Sequence, residues 1–323
     1  MKKALILGVT GQDGSYMAEF LLKNNYKVYG LIRKSATGNT KNIKQILSNT
    51  KIYNKKFFIV HGDLLDSISI DKAIREIKPN EIYNFADQDH VRWSFDIPTY
   101  SFNTTAASII TILESIKNNC SKAKYFQPIS SNVYGLSKTK SVNEKSSFDP
   151  RSIYALGKVS AYYICKYYNN VFGLNCRGAI FFNHESPRRS EEYVTQKIIT
   201  TAINIKNKKE KFLKLGDINA KIDWGYALDY VEASWKIMQL KNSEFFIISS
   251  GKTHSVKEFT QITFRKLGLD YKKYLKIDKK LLRKSKTGTL KGDHTKARRT
   301  FKFKPKTDLN SLIDIMIKDK YNK

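Results

Sequence analysis

Cysteine, proline and acidic residues are scarce in this chain of 323 residues, and long apolar runs are missing. The three cysteines (Cys120, Cys165 and Cys176) are odd in number and lack the spacing of metal ligands, so we expect reduced thiols and no metal site. No apolar run approaches the roughly 20 residues that span a bilayer, so we expect no membrane partner. The N-terminus passes directly into an expected strand without a signal sequence, which predicts a cytoplasmic protein.

Only 29 acidic residues accompany 58 lysines and arginines, which gives a formal net charge of +29. Such a charge is typical of nucleic-acid-binding surfaces, but a general enrichment in lysine also produces it. The lysines are spread along the whole chain, and none of the familiar nucleic-acid-binding motifs is present. We therefore expect solvated lysines on every face and no nucleic-acid partner. Basic clefts also suit a nucleotide diphosphate.

The N-terminal residues follow the order strand, glycine-rich turn, helix. An apolar strand at Lys3–Leu7 runs into the turn, and a second strand at Lys27–Ile32 completes a βαβ unit. Glycines allow a tight turn and a close approach of the backbone to a dinucleotide pyrophosphate, which lies at the N-terminus of the helix. The expected cofactor-binding residues of this turn are Gly8, Thr10, Gly11, Gln12, Asp13 and Gly14.

Cations follow the second expected strand, where Arg33 and Lys34 stand. NAD-binding proteins commonly have an acidic residue at this place for the ribose hydroxyls, whereas a cation suits a 2′-phosphate. Arg33 is therefore a further expected cofactor-binding residue. It favours NADP as the cofactor, with NAD as the alternative.

Strand and helix patterns alternate up to about residue 180. Expected strands near 57–60, 82–85, 124–129 and 176–181 alternate with expected helices near 14–24, 67–77, 103–119 and 153–172. This alternation predicts an α/β protein with a Rossmann-type, doubly wound parallel sheet and the cofactor at the carboxyl ends of its strands. We expect a dinucleotide-binding domain with the catalytic residues at 1–180. A smaller, mainly substrate-binding lobe at 181–323 would be interleaved with late core strands and contain helices at Glu192–Lys206 and Asp229–Leu240 and a turn at Asp223–Gly225.

Tyr154 and Lys158 lie four residues apart on an expected helix, which places both side chains on one face, one turn apart. A nearby ammonium lowers the pKa of a phenol because it favours the phenolate. Such a tyrosine is suited to exchange a proton with a sugar hydroxyl during hydride transfer. The pair indicates this chemistry in combination with the glycine-rich turn at the N-terminus, which predicts a dinucleotide site.

The glycine-rich turn, the Tyr154–Lys158 pair and Ser130, four residues before Tyr134, together resemble the extended short-chain dehydrogenase/reductase superfamily. More narrowly, the chain resembles the GDP-mannose 4,6-dehydratases. The segments that carry this resemblance are 8–16, 61–64, 78–84, 150–154, 182–189, 223–225 and 292–297. They span almost the whole chain, and the string Asn-His-Glu-Ser-Pro-Arg-Arg at 183–189 is highly specific within the superfamily.

The resemblance implies roles for the matching residues. Ser130 would hydrogen-bond the sugar 4-hydroxyl, Tyr154 would take its proton as hydride leaves C4, and Lys158 would hold the nicotinamide ribose. Asp63 and Leu64 would contact the adenine side of the cofactor. The implied substrate-binding residues are Asn183 at the diphosphate, Glu185 at a sugar hydroxyl, Arg188 and Arg189 at a polar wall, and in addition Lys197 and Arg283.

One departure from the family concerns the chemistry, because Asn132 stands where the dehydratases have the glutamate that removes the C5 proton. An amide has no usable proton affinity near neutral pH and cannot act as a base. The family's Gly-Ala-Gln-Ser-His string reads Ala-Asp-Gln-Asp-His at 86–90, in a loop that the resemblance places beside the nicotinamide. Asp87 or Asp89 is therefore a candidate base or acid, the alternative being that both face solvent or cap a helix.

Two further departures concern the substrate. The family's diphosphate-binding arginine before Asp223 is Ile222, with Lys221 beside it, and the ribose-binding glutamate three residues after Arg283 is Lys286. We expect a nucleotide-diphosphate sugar, GDP-linked, as the substrate, whether a GDP-hexose, a GDP-hexosamine or a GDP-heptose. The family tends to form dimers or tetramers, so we expect a homodimer or homotetramer, with a role in surface polysaccharide or glycan biosynthesis.

Three functions follow from these residues. The first is a nucleotide-sugar 4,6-dehydratase, which oxidises C4, eliminates water across C5–C6 and returns hydride to C6. The second is a C4 dehydrogenase, epimerase or reductase without dehydration, which Asn132 favours. The third is a non-catalytic nucleotide-sensing protein, against which the intact Ser130, Tyr154 and Lys158 argue. Similarity over the whole chain favours the dehydratase.

Overall fold

The structure is a computed structural model that describes residues 1–36, 38–137, 139, 141–282 and 288–321. Arg283 and Lys286, for which the resemblance gave expectations, lie outside the described residues. Within the described part of the chain, no helix is both long and apolar enough to cross a membrane. Nor do three or more His, Cys, Asp or Glu side chains gather in that part so as to hold a metal ion. The three cysteines are free thiols.

The strands agree with the sequence pattern in the first half of the chain. The ranges predicted for the first two are found unchanged, and the four that follow in the predicted sheet match within one residue at each end. In chain order the strands are β1 (Lys3–Leu7), β2 (Lys27–Ile32), β3 (Phe57–His61), β4 (Glu81–Asn84), β5 (Lys124–Ser130), β6 (Ser141–Val142), β7 (Asn175–Phe181), β8 (Asn183–Glu185), β9 (Leu213–Leu215), β10 (Lys221–Ile222), β11 (Trp224–Tyr226), β12 (Phe245–Ile248), β13 (His254–Ser255), β14 (Leu275–Ile277) and β15 (Lys291–Gly292).

The α-helices are α1 (Gln12–Lys23), α2 (Lys44–Leu47), α3 (Ser67–Ile77), α4 (Trp93–Asp96), α5 (Pro98–Phe102), α6 (Ser108–Asn119), α7 (Ile153–Phe172), α8 (Val194–Lys206), α9 (Ala227–Gln239), α10 (Val256–Lys266), α11 (Tyr271–Tyr274), α12 (Thr295–Phe301) and α13 (Leu309–Tyr321). Short 3-10 helices lie at 41–43, 131–134 and 279–281. The helix predicted at 103–119 begins as a π-helical turn at 103–107 and continues as α6.

Local signals explain the bounds of α7, the helix that carries the predicted catalytic pair. The Ser152 side chain caps its first turn by accepting a hydrogen bond of 3.1 Å from the backbone N–H of Ala155. Gly173 ends the helix in the left-handed conformation, with φ of 66°. A polar N-cap and a C-terminal glycine are the usual helix boundaries, which is why the sequence predicted this helix without error.

Seven strands form one sheet in the order β12-β7-β5-β4-β1-β2-β3. Each neighbouring pair from β7 to β3 is parallel. The strands β1 and β4 are buried along nearly their whole length, as expected of central strands that helices cover on both faces. The predicted α/β class with a Rossmann-type, doubly wound sheet is confirmed.

The described chain divides into two compact units. The first comprises Met1–Tyr134, Phe148–Phe181 and Val231–Phe246, and the second comprises Gly135–Ser147, Phe182–Tyr230 and Ile247–Lys323. The sheet's central strands lie in the first unit. A separate apolar cluster, which includes Ile198, Phe259 and Leu312, forms the core of the second. The functional division at residues 180 and 181 stays a prediction.

The turn predicted at Asp223–Gly225 is wrong, because this segment leads into the strand β11. Trp224 and Gly225 pair in parallel with Asn183 and His184 of β8. Asp223 is buried, and its carboxylate accepts hydrogen bonds from the backbone N–H groups of neighbouring loops. A buried carboxylate needs such partners, and these contacts between distant parts of the sequence hold the segment extended.

Candidate active site

The carboxyl ends of β1, β4 and β5 meet at one edge of the sheet, because these strands are adjacent and parallel. From β1 the chain proceeds to β2 on one side, whereas β4 lies on the other side of β1. The gap between β1 and β4 is therefore the point at which the strand order reverses, where doubly wound folds bind their ligands. Gly8 follows β1, Asp87 follows β4 by three residues, and Ser130 ends β5.

The glycine-rich turn after β1 is too crowded for side chains. Gly8 has φ of +77°, and a Cβ atom there would lie 2.5 Å from the carbonyl oxygen of Phe85. A Cβ atom on Gly14 would lie 2.3 Å from the carbonyl oxygen of Gly8. Gly11 is the N-cap of α1. Because glycine has no side chain, no side-chain cap occupies the first N–H groups of the helix. These N–H groups suit phosphate oxygens, so the turn fits the pyrophosphate of a dinucleotide.

Three other predicted residues of this turn, Thr10, Gln12 and Asp13, make contacts that hold its shape. The carbonyl oxygen of Thr10 accepts a hydrogen bond of 2.9 Å from the Asn42 side chain. The Gln12 side-chain amide lies 3.2 Å from the carboxylate of Asp13, to which it donates. Both pairs order the segment around the start of α1.

The remaining predicted cofactor residues stand after β2 and β3. Arg33 is exposed and donates a hydrogen bond of 3.1 Å to the Tyr100 hydroxyl. One carboxylate oxygen of Asp63 accepts a hydrogen bond of 2.9 Å from the backbone N–H of Leu65. Leu64 is buried. Their contacts with a cofactor stay predictions.

The structure brings Ser130, Tyr154 and Lys158 together. Tyr154 and Lys158 are both buried on α7, and the ammonium lies 5.8 Å from the centroid of the phenol ring. The Ser130 side chain is hydrogen-bonded to Tyr154. Asn132, in the 3-10 turn after β5, donates its side-chain amide to the Ser130 hydroxyl at 2.9 Å. Asn132 therefore orients Ser130, which an amide can do although it cannot accept a proton.

Lys158 is 3% exposed, and its ammonium forms an ion pair with one carboxylate oxygen of Asp87. It also donates a hydrogen bond of 2.8 Å to the carbonyl oxygen of Pro128 in β5. The Asp87 side chain is only 5% exposed, so it neither faces solvent nor caps a helix. Its second oxygen, Oδ1, is buried and has no hydrogen-bonding partner among the described residues.

The pKa of Tyr154 is raised from its ordinary value of 10.0, because burial penalises the phenolate. The Lys158 ammonium and the Ser130 hydrogen bond act in the opposite direction, as the sequence predicted for the lysine, but burial outweighs them. The two carboxylates Asp89 and Asp87 raise the pKa of the phenol further. The sequence predicted the effect of the lysine on the phenol but not the depth at which this tyrosine is buried.

The pKa values of the ion pair are shifted as well. Burial alone lowers the pKa of Lys158, but the charges of Asp87 and Tyr154 more than offset it, and the pKa is raised above 10.5. The pKa of Asp87 is also raised from 3.8, because burial outweighs the attraction of Lys158. A raised lysine pKa means that the ammonium stays charged throughout the neutral range.

Asp89 follows in the same loop and is exposed. Its charge acts electrostatically on Tyr154, Lys158 and Asp87. Between the two aspartates, Gln88 is buried and fixes the loop by donating to the carbonyl oxygen of His90 at 2.9 Å. The loop therefore presents one buried carboxylate and one exposed carboxylate at the same edge of the sheet.

The second unit holds most of the predicted substrate residues. Glu185 of β8 is 1% exposed and accepts a hydrogen bond of 2.6 Å from Thr195. Its carboxylate also lies 3.6 Å from Nε of Arg189, whose guanidinium group stacks 3.4 Å from the centroid of the Tyr193 ring. Asn183 begins β8 and is half-buried. Glu185 thus holds Arg189 in place within this unit.

The other predicted substrate residues are fixed mainly by their backbone. Arg188 is half-buried, and its N–H donates to the Ser186 hydroxyl at 3.0 Å. Lys197 is half-buried in the first turns of α8. Ile222, which replaces the family's arginine, lies in the short strand β10 and pairs with His254. Their contacts with a substrate stay predictions.

A family model described as GDP-mannose 4,6 dehydratase matches residues 5–316. The chain belongs to the GDP-mannose 4,6-dehydratase family. GDP-mannose 4,6 dehydratase 1 of Arabidopsis thaliana is 40% identical over 321 residues, which cover 98% of this chain and 89% of that protein. The GDP-mannose 4,6 dehydratase of Drosophila melanogaster is 37% identical over 338 aligned residues, covering 98% and 85%.

Among solved structures, the dTDP-glucose 4,6-dehydratase DesIV from Streptomyces venezuelae, with NAD and TYD bound, has a TM-score of 0.86 and 21% identity. The match covers 99% of this chain and 97% of that chain, and it shows that the two proteins share a fold. Membership in the GDP-mannose 4,6-dehydratase family confirms the predicted family and enzyme class, a nucleotide-sugar 4,6-dehydratase. It does not favour the alternative of C4 chemistry without dehydration.

Three contacts of the site were not predicted from the sequence. The ion pair between Asp87 and Lys158 had no local signal, because Lys158 lies on α7 and only the folded chain places that helix beside the loop after β4. The Pro128 carbonyl group had none, because any residue carries such an oxygen. Thr195, the partner of Glu185, lies ten residues further along in α8, and only the folded chain places them together.

Proposed function

We propose that this nucleotide-sugar 4,6-dehydratase acts on a GDP-linked hexose and uses NADP. In the proposed reaction the sugar loses one water and becomes a 4-keto-6-deoxy sugar. The supporting observation is that the buried Tyr154 and Lys158 lie with the half-buried Ser130 beside a turn that fits a pyrophosphate, in a chain that matches its family over nearly its whole length. The proposal includes a GDP-hexosamine or a GDP-heptose as the substrate, because Ile222 and Lys286 replace two residues that bind the substrate in the family. Either sugar would undergo the same reaction.

The first half of the reaction belongs to Ser130, Tyr154 and Lys158. Tyr154 takes the proton of the sugar 4-hydroxyl while Ser130 holds that hydroxyl, and the Lys158 ammonium stabilises the phenolate by its charge. A bound nicotinamide dinucleotide, held at the glycine-rich turn, would supply the hydride acceptor for C4 and the hydride donor for C6. The cofactor therefore ends each turnover in the state in which it began.

The second half needs a base for the C5 proton, which becomes acidic once C4 is a ketone. We propose that Asp89 takes this proton and that the 6-hydroxyl leaves as water. Asp89 is exposed and acts electrostatically on Tyr154, whereas Asp87 is buried in its ion pair with Lys158. A base must be free to accept a proton, so the ion pair with Lys158 disfavours Asp87 for this role.

The proposed sugar-nucleotide contacts lie in the second unit. Asn183 and Lys197 are proposed at the diphosphate, and Arg188 with Arg189 at the polar wall of the sugar site. The contacts of Glu185 with Thr195 and Arg189 support a role in fixing this wall as well as one at a sugar hydroxyl.

Incubation with GDP-hexoses in deuterated water tests the proposed function. We expect a product lighter by one water that carries deuterium at C5, detected by mass spectrometry and proton NMR. GDP-mannose, a GDP-hexosamine and a GDP-heptose are compared at equal concentration to define the sugar. A 4-keto or epimerised product that retains all its oxygen would exclude dehydration.

The cofactor choice is tested through Arg33. The exposed guanidinium group after β2 suits a 2′-phosphate. Arg33→Ala is expected to weaken NADP binding by about tenfold or more, as loss of a charge-assisted hydrogen bond does, and to leave NAD binding nearly unchanged. Calorimetric titration of both cofactors measures the ratio, with Lys27→Ala of β2 as the matched control. Equal weakening of both cofactors by Arg33→Ala would contradict the assignment.

We further propose that the protein forms a homodimer or homotetramer. One face of α7 carries four exposed apolar side chains at helical spacing, namely Leu156, Tyr163, Tyr167 and Val171. Contiguous apolar surface of this kind is typical of an interface between subunits. Sedimentation velocity measures the oligomeric state, and a monomer at micromolar concentration would contradict the proposal. The cytoplasmic location and a role in glycan biosynthesis stay predictions.

A further inference from the structure

Asp87 is a buried carboxylate that directly contacts the predicted catalytic lysine. One of its oxygens pairs with the Lys158 ammonium, and the other is buried without a partner among the described residues. The ammonium has three N–H donors, of which Asp87 and the Pro128 carbonyl oxygen receive two. The third has no acceptor among the described residues. Asp87 thus limits the direction in which Lys158 can point.

The pair also fixes the local charge. A buried ammonium is unfavourable unless an anion accompanies it, and Asp87 supplies that anion within direct contact. Since Lys158 lies beside the Tyr154 ring, every negative charge near the pair also acts on the phenol. The Asp87 carboxylate therefore acts on both residues: it is the counter-ion of the Lys158 ammonium, and it disfavours the phenolate of Tyr154.

We propose that Asp87 is a positioning residue for the hydride step, which holds Lys158 and offsets its charge, and thereby sets the pH range in which Tyr154 and Lys158 have the protonation states that the reaction needs. This proposal rests on the proposed function. It assigns the two aspartates of the loop different roles, Asp89 at the substrate and Asp87 at the lysine.

The other ionisable groups around this cluster do not replace Asp87. Asp89 is the second carboxylate that faces Tyr154 and Lys158, and because it is exposed, water screens its charge. Burial raises the pKa of Tyr125 well above 10.0 and that of Cys165 well above 9.0, so both groups near Asp87 stay neutral. Asp87 is therefore the buried anion to which both Tyr154 and Lys158 respond.

The kinetic test is Asp87→Asn, which keeps the shape of the side chain and removes its charge. Without the carboxylate, loss of a proton becomes easier for Tyr154 and for Lys158 alike. Both limbs of the profile of kcat/KM against pH are expected to move to lower pH by about one unit. Asp87→Glu restores the anion and is expected to restore the profile. Asp96→Asn removes an exposed carboxylate from α4 and is expected to change nothing.

A merely structural role of Asp87 would lower the height of the profile without moving its limbs. An unmoved profile in Asp87→Asn, or one moved to higher pH, would overturn the proposal. Circular dichroism of each variant checks that the fold is retained. If Asp87→Asn does not fold, Asp87→Ala, which has the family's residue at this position, replaces it in the same measurement.

A second measurement does not depend on activity. Carbon-13 NMR of protein labelled at the tyrosine ζ carbon follows the ionisation of Tyr154, whose signal is assigned by its loss in Tyr154→Phe. The titration midpoint is expected to fall in Asp87→Asn and to return in Asp87→Glu. If the midpoint falls but no GDP-hexose is dehydrated, the proposed function fails and the role of Asp87 in setting the charge stands. If dehydration occurs and the midpoint stays, the inference fails alone.

Discussion

Replacing Tyr154 by phenylalanine is expected to lower kcat by about 10²- to 10⁴-fold, the usual contribution of a general acid–base group. The phenol is buried, is hydrogen-bonded to Ser130 and lies beside the Lys158 ammonium, so no solvent molecule can easily take over its proton. Phenylalanine keeps the ring and removes only the hydroxyl. Stopped-flow absorbance of reduced nicotinamide and the rate of product formation measure the effect.

Tyr321→Phe is the matched control for this substitution, because Tyr321 is exposed at the end of α13, outside the proposed interface on α7. It is expected to leave kcat unchanged. Cofactor binding by Tyr154→Phe is expected to stay close to that of the unaltered protein, since Lys158 and the glycine-rich turn are intact. If Tyr154→Phe formed the 4-keto product at the unaltered rate, another group would have to accept the proton from the sugar hydroxyl.

Asp89→Asn is expected to slow the exchange of the C5 proton and the loss of water by about 10²- to 10⁴-fold, while C4 oxidation continues. Reduced nicotinamide should then accumulate, because hydride cannot return to C6 before water has left. Deuterium incorporation at C5 and the nicotinamide absorbance distinguish the two halves of the reaction. Asp87→Asn, measured at its own optimum pH, is expected to keep C5 exchange.

The position of Asn132 provides a rescue experiment. Asn132→Glu restores the carboxylate that the family has two residues after Ser130. Introduced together with Asp89→Asn, it is expected to recover C5 exchange, because the carboxylate then stands beside the Ser130 hydroxyl to which Asn132 donates. Rapid exchange in Asp89→Asn alone, combined with its loss in Asp87→Asn, would instead assign the base to Asp87.

Patterns close together in the sequence predicted the sheet and its cofactor turn well. The ranges of β1, β2, α3 and α7 were predicted without error, because apolar periodicity, caps and glycines mark them locally. The prediction at 223–225 failed for the opposite reason. That segment is a strand only because β8 pairs with it and because distant loops satisfy the buried Asp223.

For the candidate site, too, some features were predicted from the sequence and others depended on the tertiary structure. The sequence assigned Ser130, Tyr154 and Lys158 from their spacing and from the family they resemble, and the structure places these three side chains together. The burial, the partners and the pKa shifts of the site residues could not be predicted from their spacing in the sequence. They depend on residues that come close to one another only in the folded chain. The raised pKa of Tyr154 and the partner of Glu185 are two such results.

By itself, the amino-acid sequence determined the α/β class and the glycine-rich turn, and it predicted the residues that would exchange the proton and the absence of the usual base at Asn132. The tertiary structure alone decided how the two added aspartates differ. Adjacent parallel strands bring the loop after β4 against the end of β5, where Asp87 is buried against Lys158 while Asp89 remains exposed. Two residues apart in the chain, these carboxylates differ in burial, because the fold places Asp87 against the Lys158 ammonium and leaves Asp89 at the surface.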